Sequence, residues 1–163
     1  MSTGIFGPAY QAFQVISKET LAIAGTSFAP VAIPGGYTQL KLVVQSVPAA
    51  AAAWWVRFNG DAGANYTWQY HQAQAAVIEA NDFGGQTHIK LGEGKSSVPT
   101  QLATDIGNTP GQEHPTSSTG AQGSTVGLYG GRWADTSEIA QIDIECSQIM
   151  AIGSQLIILG VRY

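Results

Sequence analysis

The chain has 163 residues, a length suited to one domain that buries about 70% of its unfolded surface. Only 11% of its residues are charged, against about 25% in ordinary soluble domains. A net charge of −4 with seven scattered basic residues excludes a nucleic-acid interface, which needs clustered Lys and Arg, and a single cysteine excludes an intrachain disulfide framework.

Residues 1–14 carry Phe6, Tyr10 and Phe13 among Gly and Pro without a clear period. They read as an arm lying on a neighbour or as a strand closing a sheet edge, which makes Phe6 and Tyr10 candidate partner contacts. No basic region and apolar core of a secretion leader follow Met1. The longest apolar run, Ala49–Val56, is too short for a bilayer span, so no membrane partner is expected. Val15–Ile23 reads as a strand with Leu21 and Ile23 on one face, then Ala24–Ser27 as a turn and Phe28–Ile33 as a short strand. Leu40, Leu42 and Val44 alternate with Gln39, Lys41, Val43 and Gln45, the pattern of a half-buried strand.

The chain is organised around Trp54–Tyr70. Trp54, Val56 and Phe58 share one face, while Trp55, Arg57 and Asn59 share the other. Each of the three large side chains contributes about 1.5–3 kcal/mol if fully buried, so this is a core strand. Asn59-Gly60-Asp61-Ala62-Gly63 is rich in residues that tolerate positive φ, and a sharp turn is expected there. Asn65 and Tyr66 begin a return strand with aromatic residues at Tyr66, Trp68 and Tyr70. Gln69–Ala80 admits a helix by propensity, a strand continuing from Trp68, or an irregular crossing, with strand favoured over Ala76–Ile78.

From Asn81 to Asp135 the texture changes to Gly, Ser, Thr, Pro and Gln with small apolar islands. Gly107–Gly123 holds no aliphatic residue larger than alanine. This region, residues 81–135, is expected to be a loop-rich excursion that contacts a partner or caps the fold. Ala140, Ile142, Ile144 and Cys146 then alternate with polar residues, and Leu156–Val161 is a continuous apolar run expected to be buried on both faces. The whole chain, 1–163, is thus read as a single all-β domain, an antiparallel β-sandwich of seven to nine short strands.

Candidate chemistry is sparse. Gly92-Glu93-Gly94-Lys95-Ser96 lacks the first glycine of a phosphate loop, since Ile89 stands there, and Val98-Pro99 opposes a following helix. Asn59, Asp61, Gly63 and Asn65 are spaced like calcium ligands but include one carboxylate, so Asp61 is expected to cap its own turn instead. His71, His88 and His114 have no metal-ligand spacing, and no nucleophile elbow occurs. No catalytic residue, metal or cofactor is expected, and Cys146 reads as a buried structural thiol. Trp55 and Trp133 are candidate exposed aromatics, able to stack on sugars or enter a partner's pocket, or else to cover a second core layer.

Val56-Arg57-Phe58-Asn59-Gly60-Asp61 with Asn65-Tyr66, the preceding Tyr37–Val44 strand and the closing Ser154–Val161 strand resemble a pattern in small virion proteins of tailed phages. The likeness lies mostly in residues 37–70 and 139–163; the Ala49–Ala53 run and the long middle segment do not share it. The resemblance implies a jelly-roll form of the sandwich. It also implies a structural role in a virion assembled in the host cytoplasm, as a decoration, head-fibre or tail-associated protein. Expected partners are further copies of the chain, in a trimer by the resemblance, together with the major capsid protein or other virion proteins. Leu159 and Tyr163 on the apolar C-terminal segment join Phe6, Tyr10, Trp55 and Trp133 as candidate contacts. The alternative is a tail or fibre module that recognises host-surface carbohydrate.

Overall fold

The computed structural model describes residues 12–74, 77–123 and 125–162. Every regular element among them is a strand. These are β1 (Gln14–Thr20), β2 (Gly25–Ser27), β3 (Val31–Ala32), β4 (Gln39–Ser46), β5 (Ala52–Phe58), β6 (Tyr66–Gln74) and β7 (Val77–Gln86). There follow β8 (Ile89–Gly94), β9 (Thr100–Gly107), β10 (His114–Gln122), β11 (Thr125–Trp133), β12 (Gln141–Met150) and β13 (Gln155–Val161). They form two antiparallel sheets packed face to face, one ordered β1-β13-β4-β9-β10-β11-β6-β7 and the other β2-β12-β5-β8. β2 and β3 lie one after the other along β12.

The expected antiparallel sandwich is what the chain forms, and its strand order is that of a jelly roll. Of β1, β2, β4, β5, β8, β9, β12 and β13 taken in chain order, the first, eighth, third and sixth make one sheet. The second, seventh, fourth and fifth make the other. Two hairpins then widen the first sheet: β6–β7, inserted between β5 and β8, and β10–β11, inserted between β9 and β12.

Alternation builds the core. β5 buries Ala52, Trp54, Val56 and Phe58 and leaves Ala53, Trp55 and Arg57 half-buried on the other face. Facing it are Leu40, Leu42 and Val44 of β4, and Leu156 and Ile158 of β13, all buried. Cys146 is buried beside Ile142 and Ile144, and burial pushes its thiol pKa up, as a structural cysteine requires.

The alternatives left open for Gln69–Ala80 resolve to strand, and other expectations change. The described residues form thirteen strands rather than seven to nine, and Gly25–Ser27, expected in a turn, is β2. Gln69–Ala80 is no helix where it is described, because Trp68, Tyr70 and Gln72 alternate toward the interior as strand residues of β6. Of the expected strand at Ala76–Ile78, Ala76 lies outside the described residues, and β7 begins at Val77. The strand expected to run through Ile23 ends at Thr20, leaving Ile23 exposed. The 81–135 region is not loop-rich: it supplies β8 to β11 and most of β7. Along the middle of β10 and β11 the inward residues Thr116, Ser118, Gly120, Gly127 and Gly131 are small because the space they face is already filled. A Cβ on Gly131 would meet Ile89 Cγ2 at 2.6 Å, and one on Gly120 would meet Leu102 Cδ2 at 2.8 Å. Buried Thr and Ser fill the rest: Thr104 Oγ1 donates to Ser118 Oγ at 2.9 Å, and Ser118 Oγ to the Leu91 carbonyl at 2.7 Å.

Candidate interaction surface

The turn after β5 sets how the extra hairpins meet the jelly roll. Asn59 and Gly60 adopt φ of 54° and 66°, the left-handed region that Asn and Gly tolerate best. Asn59 Oδ1 accepts from the Ala140 and Gln141 N–H groups at 2.8 and 3.0 Å, and its Nδ2 donates to the Glu138 carbonyl at 3.0 Å. Asp61 accepts three donors: the Gly63 N–H at 2.8 Å, Asn65 Nδ2 at 3.0 Å and Trp133 Nε1 at 2.7 Å. Hydrogen bonds from Asn65, Trp133 and Gly63 hold its pKa below the usual carboxylate value. The Tyr66 hydroxyl accepts from the Phe58 N–H at 3.1 Å and lies 3.2 Å from the Asp61 carbonyl. Burial pushes that phenol up to about 12. Trp54, Val56, Phe58, Asn59, Gly60, Asp61, Asn65 and Tyr66 thus form one structural unit, and the Asp61 carboxylate is occupied by its own turn as expected.

Trp133 closes this unit from β11 and is 1% exposed. It is therefore not an exposed contact residue. Its register opposite Tyr66 turns it inward, Asp61 satisfies its indole N–H, and its ring stacks on Tyr66 and His114. His114 is itself buried, with Nδ1 3.0 Å from the Gly107 carbonyl and Nε2 2.8 Å from the Ser137 carbonyl, which ties β10 to the segment before β12. The segment is fixed again by Asn108, which donates to the Tyr37 carbonyl and accepts the Ile139 N–H, both at 2.9 Å.

Trp55 lies on the outer face of the smaller sheet, half-buried against His88 with ring centroids 5.1 Å apart. Beside it Arg57 makes a two-point pair with Glu145 at 2.8 and 3.2 Å. Leu159 is half-buried on the outer face of the larger sheet, between Val15 and Lys41. Phe6, Tyr10 and Tyr163 lie outside the described residues. Trp55 and Leu159 consequently sit on opposite outer faces and do not form one site.

The larger sheet's outer face is the surface that sequence reasoning did not assemble. The register sets Ile157, Val43, Ala103, Thr119, Leu128, His71 and Ala80 side by side across seven strands. The next row carries Ala121, Val126, Ala73 and Ile78. Ile78 is 79%, Val126 56% and Leu128 55% exposed. Lys41 is neutralised by Asp105 at 3.0 Å, and Arg132 by Glu113 at 2.8 Å. Val126 and Leu128 fall in one of the small apolar islands of the 81–135 region, and only the pairing with β6 reveals their neighbours.

A second grouping was also missed. Lys90 Nζ of β8 sits 5.5, 5.2 and 5.9 Å from the ring centroids of Trp68, Tyr70 and Tyr129 and pairs with Glu93. Phe83 stacks on Trp68 at 4.0 Å. The Tyr66, Trp68, Tyr70 spacing was the available signal. Among the described residues no three His, Cys, Asp or Glu side chains come together as a metal site would need. Among the described residues no helix is long and apolar enough to cross a membrane. No family model, curated protein or solved structure matches the chain.

Proposed function

We propose that the protein is a non-enzymatic structural component of a bacteriophage virion, a decoration or minor capsid protein that assembles with copies of itself and docks on the capsid shell. The observation that supports this reading best is the broad outer face of the larger sheet. It exposes aliphatic side chains in adjacent rows, and two of its cations, Lys41 and Arg132, are paired with Asp105 and Glu113. Contiguous apolar surface of this kind marks interaction sites. Short side chains such as Ala, Val and Thr lose little rotamer entropy on being covered. The phage-like turn sequence at Val56–Tyr66 points to a virion as the setting. Binding across neighbouring capsomers would stabilise the shell by mass action, as any ligand of the assembled state does.

The test is incubation of the purified chain with emptied, undecorated phage capsids, followed by imaging. Density at regular lattice positions is the expected result, with Leu128→Lys abolishing it. Capsids that stay bare at saturating protein would refute the proposal.

A further inference from the structure

A pocket of about 490 Å³ opens at one end of the sandwich, where β4 and β10 end and β9 and β13 begin. Its polar lining consists of three amides, Gln45, Gln101 and Gln122, and three hydroxyls, Ser46, Thr100 and Ser154. Among the described residues no charged one lines it. Gln122 is 6% exposed, and its Oε1 is buried without a hydrogen-bond partner among the described residues. An unpaired buried acceptor costs about 1–3 kcal/mol, so a ligand hydroxyl donating there has a real gain to make. Ser154 Oγ donates to the Ala151 carbonyl at 2.8 Å and lies 3.2 Å from Ser46 Oγ, leaving hydroxyl lone pairs on that wall to accept. Val47 and Ile152 add an apolar wall.

We infer that this pocket binds a neutral pyranose sugar. An ionic ligand would enter without a counter-charge, and a purely apolar one would leave the buried Gln122 Oε1 unpaired and cover the Gln45 and Gln101 amides without partners. Each glutamine offers a donor and an acceptor side by side, the arrangement that two vicinal hydroxyls complement. The C–H face of a sugar ring fits the Val47–Ile152 wall. The volume lies in the range of small-molecule sites. This inference does not rest on capsid docking, which the capsid-imaging assay reads separately.

The test titrates the full chain with D-glucose, D-galactose, D-mannose and N-acetyl-D-glucosamine, followed by saturation-transfer NMR. At least one of them binds saturably. Gln101→Ala and Gln45→Ala, both at exposed rim positions, each weaken that binding by about tenfold while thermal melting stays unchanged. Gln122→Met keeps the side-chain volume and abolishes binding; should it unfold the chain, the two rim variants still decide. Absence of binding by all four sugars overturns the inference. So does binding that survives both rim substitutions, which would place the sugar elsewhere, for example on the Tyr70–Phe83 face.

Discussion

The two halves of the larger sheet are held by different means. In the jelly-roll half, β1, β13, β4 and β9 press Leu40, Leu42, Leu156 and Ile158 against the aliphatic and aromatic face of the second sheet. In the other half, β10, β11, β6 and β7 turn inward Thr116, Ser118, Gly120, Gly127 and Gly131, and then a bank of aromatic rings met by Lys90. One half gains stability from buried aliphatic area. The other gains it from close backbone approach, hydroxyl pairing and ring–cation contact. One continuous sheet can therefore be secured in two ways, and only the first leaves an obvious hydrophobic signature.

That contrast can be broken from either side. Trp54→Ala removes a fully buried ring from the jelly-roll core and should cost about 3–5 kcal/mol, read as a lower denaturant midpoint at unchanged m-value. Gly131→Val strikes the thin half, where even a Cβ meets Ile89 at 2.6 Å. Overpacking there should cost about 1–3 kcal/mol in the same assay. Lys90→Met keeps the bulk but removes the ammonium from between the rings, and a loss of about 0.5–2 kcal/mol is expected. Leu128→Ser, on the exposed outer face, should leave the unfolding midpoint of the isolated chain within about 0.5 kcal/mol of wild type while weakening self-association measured by sedimentation.

The corner joining the two halves supplies a pH test. The folded-state pKa of Asp61 is lowered below 3.8 by the donors from Asn65, Trp133 and Gly63. Its contribution is therefore fully present above that unfolded value and is lost as pH falls through the lower folded one. Asp61→Asn should flatten the acid limb of melting temperature against pH. Part of the limb should remain, because the Asp135 pKa is lowered in the same direction by hydrogen bonds from Ser137.

The sequence made the jelly-roll half legible. Gln39–Val44, Trp54–Phe58 and Gln141–Cys146 alternate because one face meets the core and the other does not, although Ala140, expected on the buried face, is exposed ahead of β12. Leu156 and Ile158 point inward as the apolar run suggested. Their partners Ile157 and Leu159 are only half-buried, so that strand is less enclosed than the run implied. The thin half was illegible for a physical reason. Where sheets approach closely, glycine, serine and threonine replace aliphatic residues, and the period-two hydrophobic pattern disappears although the strands remain. The Trp133 setting was hidden for another reason: its acceptor, Asp61, lies 72 positions away in the chain. The turn at Asn59–Asn65 was readable because its chemistry is local.

The seam between β6 and β11 has a kinetic consequence. It zips together segments that belong to different insertions, so the β6–β7 hairpin finds its neighbour in the sheet only after β8 to β11 have been made. Such distant pairings are slow to form, because loop-closure entropy must be met before any contact rewards it. On the ribosome, the aromatic β6–β7 hairpin would emerge with a bare flank awaiting its mate, the interval in which a nascent chain most needs protection from sticking to others.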